Sequence, residues 1–189
     1  MSSRLSNDRG ARLLDEARKL IADGGLAAVT HRSVEKAARV PHGSVTYWFG
    51  SRDGLVFALV DRMVAECEDQ VAAIAAQQAA GGDLDSVARG IADWMDGHRE
   101  LHLARLELEL AAARDPRLRE RMTDAARVFW GMCVPLAAAA GSEEPERDGR
   151  AMAAMVDGLL IDRLAHGGQT HELLVEAVAV LTGPRPPRP

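Results

Sequence analysis

The chain has 189 residues, 47% of them apolar and 4% aromatic, with a formal net charge of −5. No stretch approaches the roughly 18 consecutive apolar residues of a membrane span, and the opening residues MSSRLSNDRG hold no apolar segment of a secretory leader. The length allows one medium domain or two small ones, and heavy alanine use with few aromatics favours an all-α fold.

The charge is uneven. Residues 1–52 carry nine Lys/Arg against five Asp/Glu, a net of +4, and the remainder nets −9. A basic segment on an acidic body suits a nucleic-acid reader with a separate partner domain. Cys67 and Cys133 lie far apart inside apolar helical patterns. That placement suits buried thiols in a reducing cytoplasm rather than a disulfide.

In chain order, residues 1–7 are expected to be unstructured. A first helix follows over about Asp8 to Asp23, with Leu13, Leu14, Ala17, Leu20 and Ile21 on one face and Gly24-Gly25 ending it. Thr30 is a suitable N-cap for a short second helix to Ala38, with Val34, Ala37 and Ala38 inward. Arg39-Val40-Pro41 forms a turn. Pro41, with its fixed φ and no amide hydrogen, suits the first turn of a third helix over about His42 to Phe49. Val45 and Phe49 share its inner face. Ser51 caps a long fourth helix to about Ala80, and Asp83 a fifth to about His98. The sixth spans about Glu100 to Arg114. The seventh starts at Asp115-Pro116 and is expected to kink or end early at Pro135. An eighth covers about Glu146 to His166, and Thr170 caps a ninth to Leu181. Gly183 to Pro189 reads as a disordered tail. No alternating β-branched run predicts a strand.

Two short helices joined by a three- or four-residue turn are the helix-turn-helix geometry, whose second helix enters the DNA major groove. Gly43 and Ser44 are small enough for close approach. Ser44, Thr46 and Tyr47 carry hydroxyls for phosphates and base edges. Thr30 opens a helix N-terminus toward a phosphate. Arg32, Arg39 and Arg52 bracket the surface with positive charge. A tight helical hairpin with Tyr47 and Trp48 in its core is the plainer alternative.

Residues 8–64 resemble the DNA-binding domain of TetR-family transcriptional regulators. The resemblance is carried by the glycine-terminated first helix, the Thr-initiated second helix, the Val-Pro turn, the run Gly-Ser-Val-Thr-Tyr-Trp-Phe and the Ser-Arg-Asp start of the fourth helix. Two departures stand out: Arg39 where the family commonly has glycine, and Thr46 where it commonly has tyrosine. The first puts a non-glycine residue in a left-handed conformation or changes the turn. The second shifts a phosphate contact toward Tyr47. On this reading the candidates to touch DNA are Thr30, Arg32, Ser33, His42, Gly43, Ser44, Thr46, Tyr47, Trp48 and Arg52.

The resemblance implies three segments: a three-helix DNA-binding domain over 1–50, a six-helix effector-binding and dimerisation domain over 51–183, and a tail over 184–189. It implies a ligand pocket among helices four to eight, with Met63, Cys67, Trp94, Met95, His98, His102, Arg105, Phe129, Trp130, Cys133 and Met155 as candidates. A Met- and Trp-lined cavity suits an apolar or amphipathic effector of unknown identity. Arg105 is expected to pair with Glu109 one turn on rather than to meet a ligand carboxylate. His98 and His102 stand four apart, but nothing nearby completes a metal site. The surplus apolar surface of the last two helices suggests a four-helix homodimer interface through Met152, Val156, Leu159, Leu160, Leu164, Leu174, Val178 and Leu181. The expected partners are a second copy and a palindromic DNA operator, with no membrane, cofactor or metal.

The function expected is a ligand-responsive regulator, most often a repressor in this family. An activator of the same fold and a helical dimeric module that does not read DNA are the alternatives. Catalysis is not expected. GxSxG, a phosphate-cradling glycine loop ending in Lys-Ser/Thr and CxxC are all missing, and His171-Glu172 lacks the second histidine of a zinc-protease helix.

Overall fold

The computed structural model describes residues 2–79, 84–139, 141–167 and 172–176, and every regular element among them is helical. They are α1 (Ser2–Gly24), α2 (His31–Ala38), α3 (Ser44–Phe49), α4 (Arg52–Ala79), α5 (Leu84–Gly97), α6 (Arg99–Ala112), α7 (Pro116–Ala139) and α8 (Pro145–His166). A single 3-10 turn, Leu26–Ala28, follows α1, and residues 172–176 are helical. The glycine break at 81–82, most of the expected ninth helix and the tail lie outside the described residues.

Three boundaries differ from expectation. The first helix begins at Ser2 rather than Asp8. No proline or glycine before Gly10 stops it, and polar residues of this kind cost a helix little. The third helix begins at Ser44 rather than His42, because Gly43 takes φ +89, outside the helical region. Pro41 therefore sits in the turn and not in the helix. The seventh helix runs through Pro135 without ending. Pro135 and Gly131, four residues earlier, are both exposed. The carbonyl freed by the missing amide thus faces water, and the Gly131 position carries no side chain to crowd the ring.

The chain divides into two compact units, Met1–Ala65 with Glu100–Ala125, and Glu66–Arg99 with Ala126–Pro189. In the first, α1 buries Leu13, Ala17 and Ile21, α2 buries Val34 and Ala38, and α3 buries Val45. The first half of α4 adds Leu55, Val56, Leu59, Val60 and Met63. These are the positions that helical periodicity selects, and burying each large side chain contributes about 1.5–3 kcal/mol. Arg62 ties α4 to α1 through Asp15 (2.6 Å) and the Ala11 carbonyl (3.0 Å). On the other side of α4, Asp53 pairs with Arg117 at 3.1 Å and Asp61 pairs with Arg121. Both guanidinium groups lie over the Phe57 ring, at 5.3 and 5.6 Å from its centroid. Each exposed pair is worth little alone, but the ladder fixes the register of α4 against α7.

In the second unit, Cys133, Leu136, Ala137, Met152 and Ala153 form one buried cluster. Ala88, Ala92, Met95, Val156, Leu160 and Leu174 form another, and Ile91 and Phe129 touch both. Arg163 of α8 pairs with Asp96 of α5. The start of α8 approaches α7 closely at Gly149. A Cβ there would stand 2.8 Å from the Val134 nitrogen and 2.9 Å from the Cys133 carbonyl carbon. Backbone cannot yield as a side chain does. Gly149→Ala is therefore expected to destabilise the protein by about 2 kcal/mol in urea unfolding, despite alanine's better helix propensity. A gain in stability would show that this contact is loose.

Candidate nucleic-acid interface

Reciprocal capping fixes the start of α2. Thr30 Oγ1 accepts from the Ser33 amide (3.1 Å), and Ser33 Oγ accepts from the Thr30 amide (2.9 Å). The Ser33 hydroxyl in turn donates to the Ala28 carbonyl (2.7 Å). Ser33 is thereby committed to the fold, whereas Thr30 remains exposed at the helix N-terminus. At the far end Arg39 adopts φ 54, ψ 45, and its amide bonds back to Glu35 and Lys36 carbonyls. The turn keeps the left-handed geometry that glycine would adopt freely, at a cost of about 1 kcal/mol for arginine.

The start of α3 is built differently. Gly43 is its N-cap and offers no side-chain acceptor. Glu35 of α2, only 4% exposed, supplies one: its Oε1 accepts the Val45 amide at 3.0 Å. Its Oε2 lies 3.0 Å from His42 Nδ1. Burial alone would push the Glu35 carboxyl up, but bonds from Val45, His42 and the Gly43 amide outweigh it and hold the group below the usual carboxylate range. Glu35 escaped the sequence reading. The signal was there: a glycine cap leaves the first amides of α3 without a partner, and buried donors require one.

Besides Thr30, four of the expected DNA contacts are placed outward. Tyr47 is 80% exposed, and Thr46, Arg32 and His42 are exposed as well. Arg32, Lys36 and His42 line one shallow groove with Glu35. Thr46 Oγ1 lies 3.4 Å from His31 Nδ1, linking the outer sides of α2 and α3. Lys36 and His31 were not among the sequence candidates.

Other candidates are turned to structural work. Arg52 donates from Nε to the Val29 carbonyl (2.6 Å) and from Nη2 to the Leu26 carbonyl (2.7 Å), so it clamps the 3-10 turn rather than projecting to DNA. The half-buried Trp48 lies over Gly10, where a Cβ would stand 3.5 Å from its ring. It supports Tyr47 edge to face, with centroids 5.3 Å apart. Ser44 Oγ donates to the Pro41 carbonyl (2.5 Å), closing the turn. Gly43 supplies the positive φ that starts the helix. Phe49, expected inside, is half-buried.

The pocket candidates divide between the two units. Met63, His102 and Arg105 belong to the first, and Cys67, Trp94, Met95, His98, Phe129, Trp130, Cys133 and Met155 to the second. Arg105 pairs with Glu109 at 2.6 Å, as its helical spacing predicts. His102 is buried and His98 exposed, with His98 Nδ1 2.9 Å from the Trp94 carbonyl. Met95 is core, and Phe129 and Trp130 flank the buried clusters. Trp94 and Met155 are half-buried. Trp130 presents its ring face to the Arg150 guanidinium at 4.5 Å. Cys133 is a buried thiol, pushed up to about 12 by desolvation and by Asp157, and is inert at neutral pH.

The dimer candidates are largely packed within their own chain. Met152, Val156, Leu160 and Leu174 are each at most 5% exposed in the single chain. Leu159 and Leu164 also lie against their own core. The four buried residues have no surface left for a second copy. The outward stripe of α8 is instead Ala151, Ala154, Gly158, Ile161 and Ala165, all exposed. Val178 and Leu181 lie outside the described residues.

Two family descriptions match this architecture. The one described as bacterial regulatory proteins, tetR family, matches residues 13–59, and the tetracyclin repressor-like C-terminal domain matches residues 82–184. The chain belongs to the TetR family. Among its TetR-family relatives, the HTH-type transcriptional regulator BetI of Burkholderia thailandensis is 26% identical over 166 residues, covering 85% of this chain and 84% of that one. A TetR-family structure from Streptomyces coelicolor A3 is 30% identical with a TM-score of 0.76, covering 92% of this chain and 97% of that one. The multidrug binding protein EbrR complexed with proflavin is 30% identical with a TM-score of 0.67, covering 92% and 99%. The protein is thus a TetR-family transcriptional regulator and not an enzyme. Members of this family bind DNA, and no helix among the described residues is long and apolar enough to cross a membrane.

Proposed function

We infer that this TetR-family chain is a cytoplasmic repressor, reading a palindromic operator as a homodimer and released by a small effector. The observation that carries the reading is Tyr47. A large aromatic phenol stands 80% exposed on a rigidly capped α3, beside Thr46 and a groove of three basic side chains. A singly exposed aromatic is ordinary on a folded chain, but this one stands where a recognition helix would present its phenol to phosphates and base edges. Two such helices one DNA turn apart, about 34–36 Å, read two half-sites.

The second copy fits the small-residue stripe of α8, where the Gly158 Cα allows close helix approach. A Cβ at Gly158 meets nothing within 4 Å of its own chain. Gly158→Arg is therefore expected to leave the protomer folded, to yield monomers in sedimentation, and to weaken operator binding about 100-fold by removing the linked second half-site contact. A dimeric Gly158→Arg protein would move the interface elsewhere.

The effector class suggested is an aromatic cation. EbrR, at 30% identity, has been crystallised with proflavin and with ethidium, both planar aromatic cations. In this chain the Trp130 face already holds a guanidinium, the interaction such a molecule would reproduce. Release follows if the effector binds the DNA-incompetent arrangement better, and DNA must then weaken the effector by the same factor. Selection from a random-sequence duplex pool tests the whole reading. It is expected to enrich a palindrome bound with a steep negative salt dependence, and enrichment of no sequence would overturn it.

A further inference from the structure

Glu35 is an acidic residue in the middle of a basic groove, buried to 4% exposure, and its two oxygens serve two parts of the DNA-reading unit. Oε1 accepts the Val45 amide in the first turn of α3, and Oε2 holds His42 Nδ1, each at 3.0 Å. The His42 side chain is nevertheless 93% exposed, so its other ring edge, with Nε2, lies in solvent. We propose that Glu35 is a positioning residue for operator recognition, fixing the start of α3 with one oxygen and aiming His42 at the DNA backbone with the other. This rests on the reading of the chain as a DNA-binding regulator and adds a residue that touches no DNA itself.

The hydrogen-bond inventory gives the pair a signature. An ionised carboxylate only accepts, so Nδ1 must carry the hydrogen between them. Neutral His42 then presents a lone pair at Nε2, which repels a phosphate oxygen. Protonated His42 presents an N–H, which donates to it. Operator binding thus draws a proton onto His42, and affinity falls as pH rises. The charged side chains lining the groove with the pair are Arg32 and Lys36 of α2. His31 of α2 lies near Thr46, and Tyr47 is the titratable residue of α3. His31 is a second imidazole at this surface, so a His42 variant is needed to separate the two.

Glu35→Gln isolates the charge. Its amide oxygen still accepts from Val45, while its NH2 donates to Nδ1 of neutral His42. Nε2 then carries its hydrogen without added charge. The probe is the duplex enriched by the unaltered dimer from a random pool, titrated by fluorescence anisotropy between about pH 6 and pH 8. The unaltered protein is expected to lose affinity about fivefold or more across that range. Most of the loss should vanish in Glu35→Gln and in His42→Ala, and Glu35→Ala should bind about tenfold more weakly at the acid end.

A Glu35 with only a structural part would lower the melting temperature of its variants and leave the pH profile of Glu35→Gln unchanged, and that result overturns the proposal. So does unaltered affinity in Glu35→Ala. Should Glu35→Ala fail to fold, the profile of Glu35→Gln decides alone. If the unaltered protein enriches no duplex, the DNA-binding reading fails and takes this role with it. Tight unaltered binding with an unchanged Glu35→Gln profile removes the role of Glu35 alone.

Discussion

Gly54→Ala is expected to destabilise the protein by about 3 kcal/mol and to abolish operator binding. Two effects oppose each other there. Alanine is the better helix former, by up to about 1 kcal/mol. Its methyl, however, would stand 2.0 Å from the Phe49 carbonyl oxygen and 3.2 Å from its carbon. No rotamer relieves a Cβ, and the obstacle is the backbone of the last residue of α3. The first turn of α4 cannot easily retreat. Arg52 anchors it to the Val29 and Leu26 carbonyls, and Ser51 Oγ accepts the Gly54 amide at 3.0 Å. The strain therefore falls on α3, whose six residues have less to hold them. Urea unfolding and operator titration check both halves. A variant stabilised by a few tenths of a kcal/mol and still binding DNA would show that α3 and α4 meet more loosely.

Tyr47→Ala is expected to act the other way round, on binding and not on folding. The side chain is 80% exposed, and its ring meets Trp48 edge to face. Its removal should change stability by no more than about 0.5 kcal/mol. A recognition contact is worth about 1–3 kcal/mol, and a dimer makes each twice, so operator affinity should fall about 100-fold or more. Calorimetric unfolding beside an anisotropy titration separates the two effects. Unaltered affinity would remove α3 as the reading helix, and a large loss of stability would return Tyr47 to the core.

The sequence disclosed the helices more readily than their partners. Periodicity and end signals located α2, α4, α5, α6 and α8 to within a few residues, because each has a continuous apolar stripe or a distinct cap. The resemblance left Arg39 either left-handed or in an altered turn, and the structure places it at φ 54. What sequence did not disclose was where a polar group spends its hydrogen bonds. Arg52 looked like a phosphate contact because it is basic and near the motif, yet two backbone carbonyls claim it. Glu35 looked unremarkable until the glycine cap of α3 required an acceptor. In α8 the apolar residues suggested an interface, but an amphipathic stripe says only that something covers it. Here the chain covers its own leucines, valine and methionine and turns alanines and Gly158 outward. The pocket candidates were chosen by residue type within the helices where the resemblance implies a pocket, and they fall in both units.

The central claim is that two copies of α3 read DNA together from one face of the duplex. The measurement that tests it most directly compares the enriched palindrome with the same half-sites moved apart by about five base pairs, half a helical turn. The account predicts tight binding to the first and only weak, strongly salt-dependent binding to the second, because the paired helices can no longer reach both half-sites. Equal affinity for the two duplexes would contradict it.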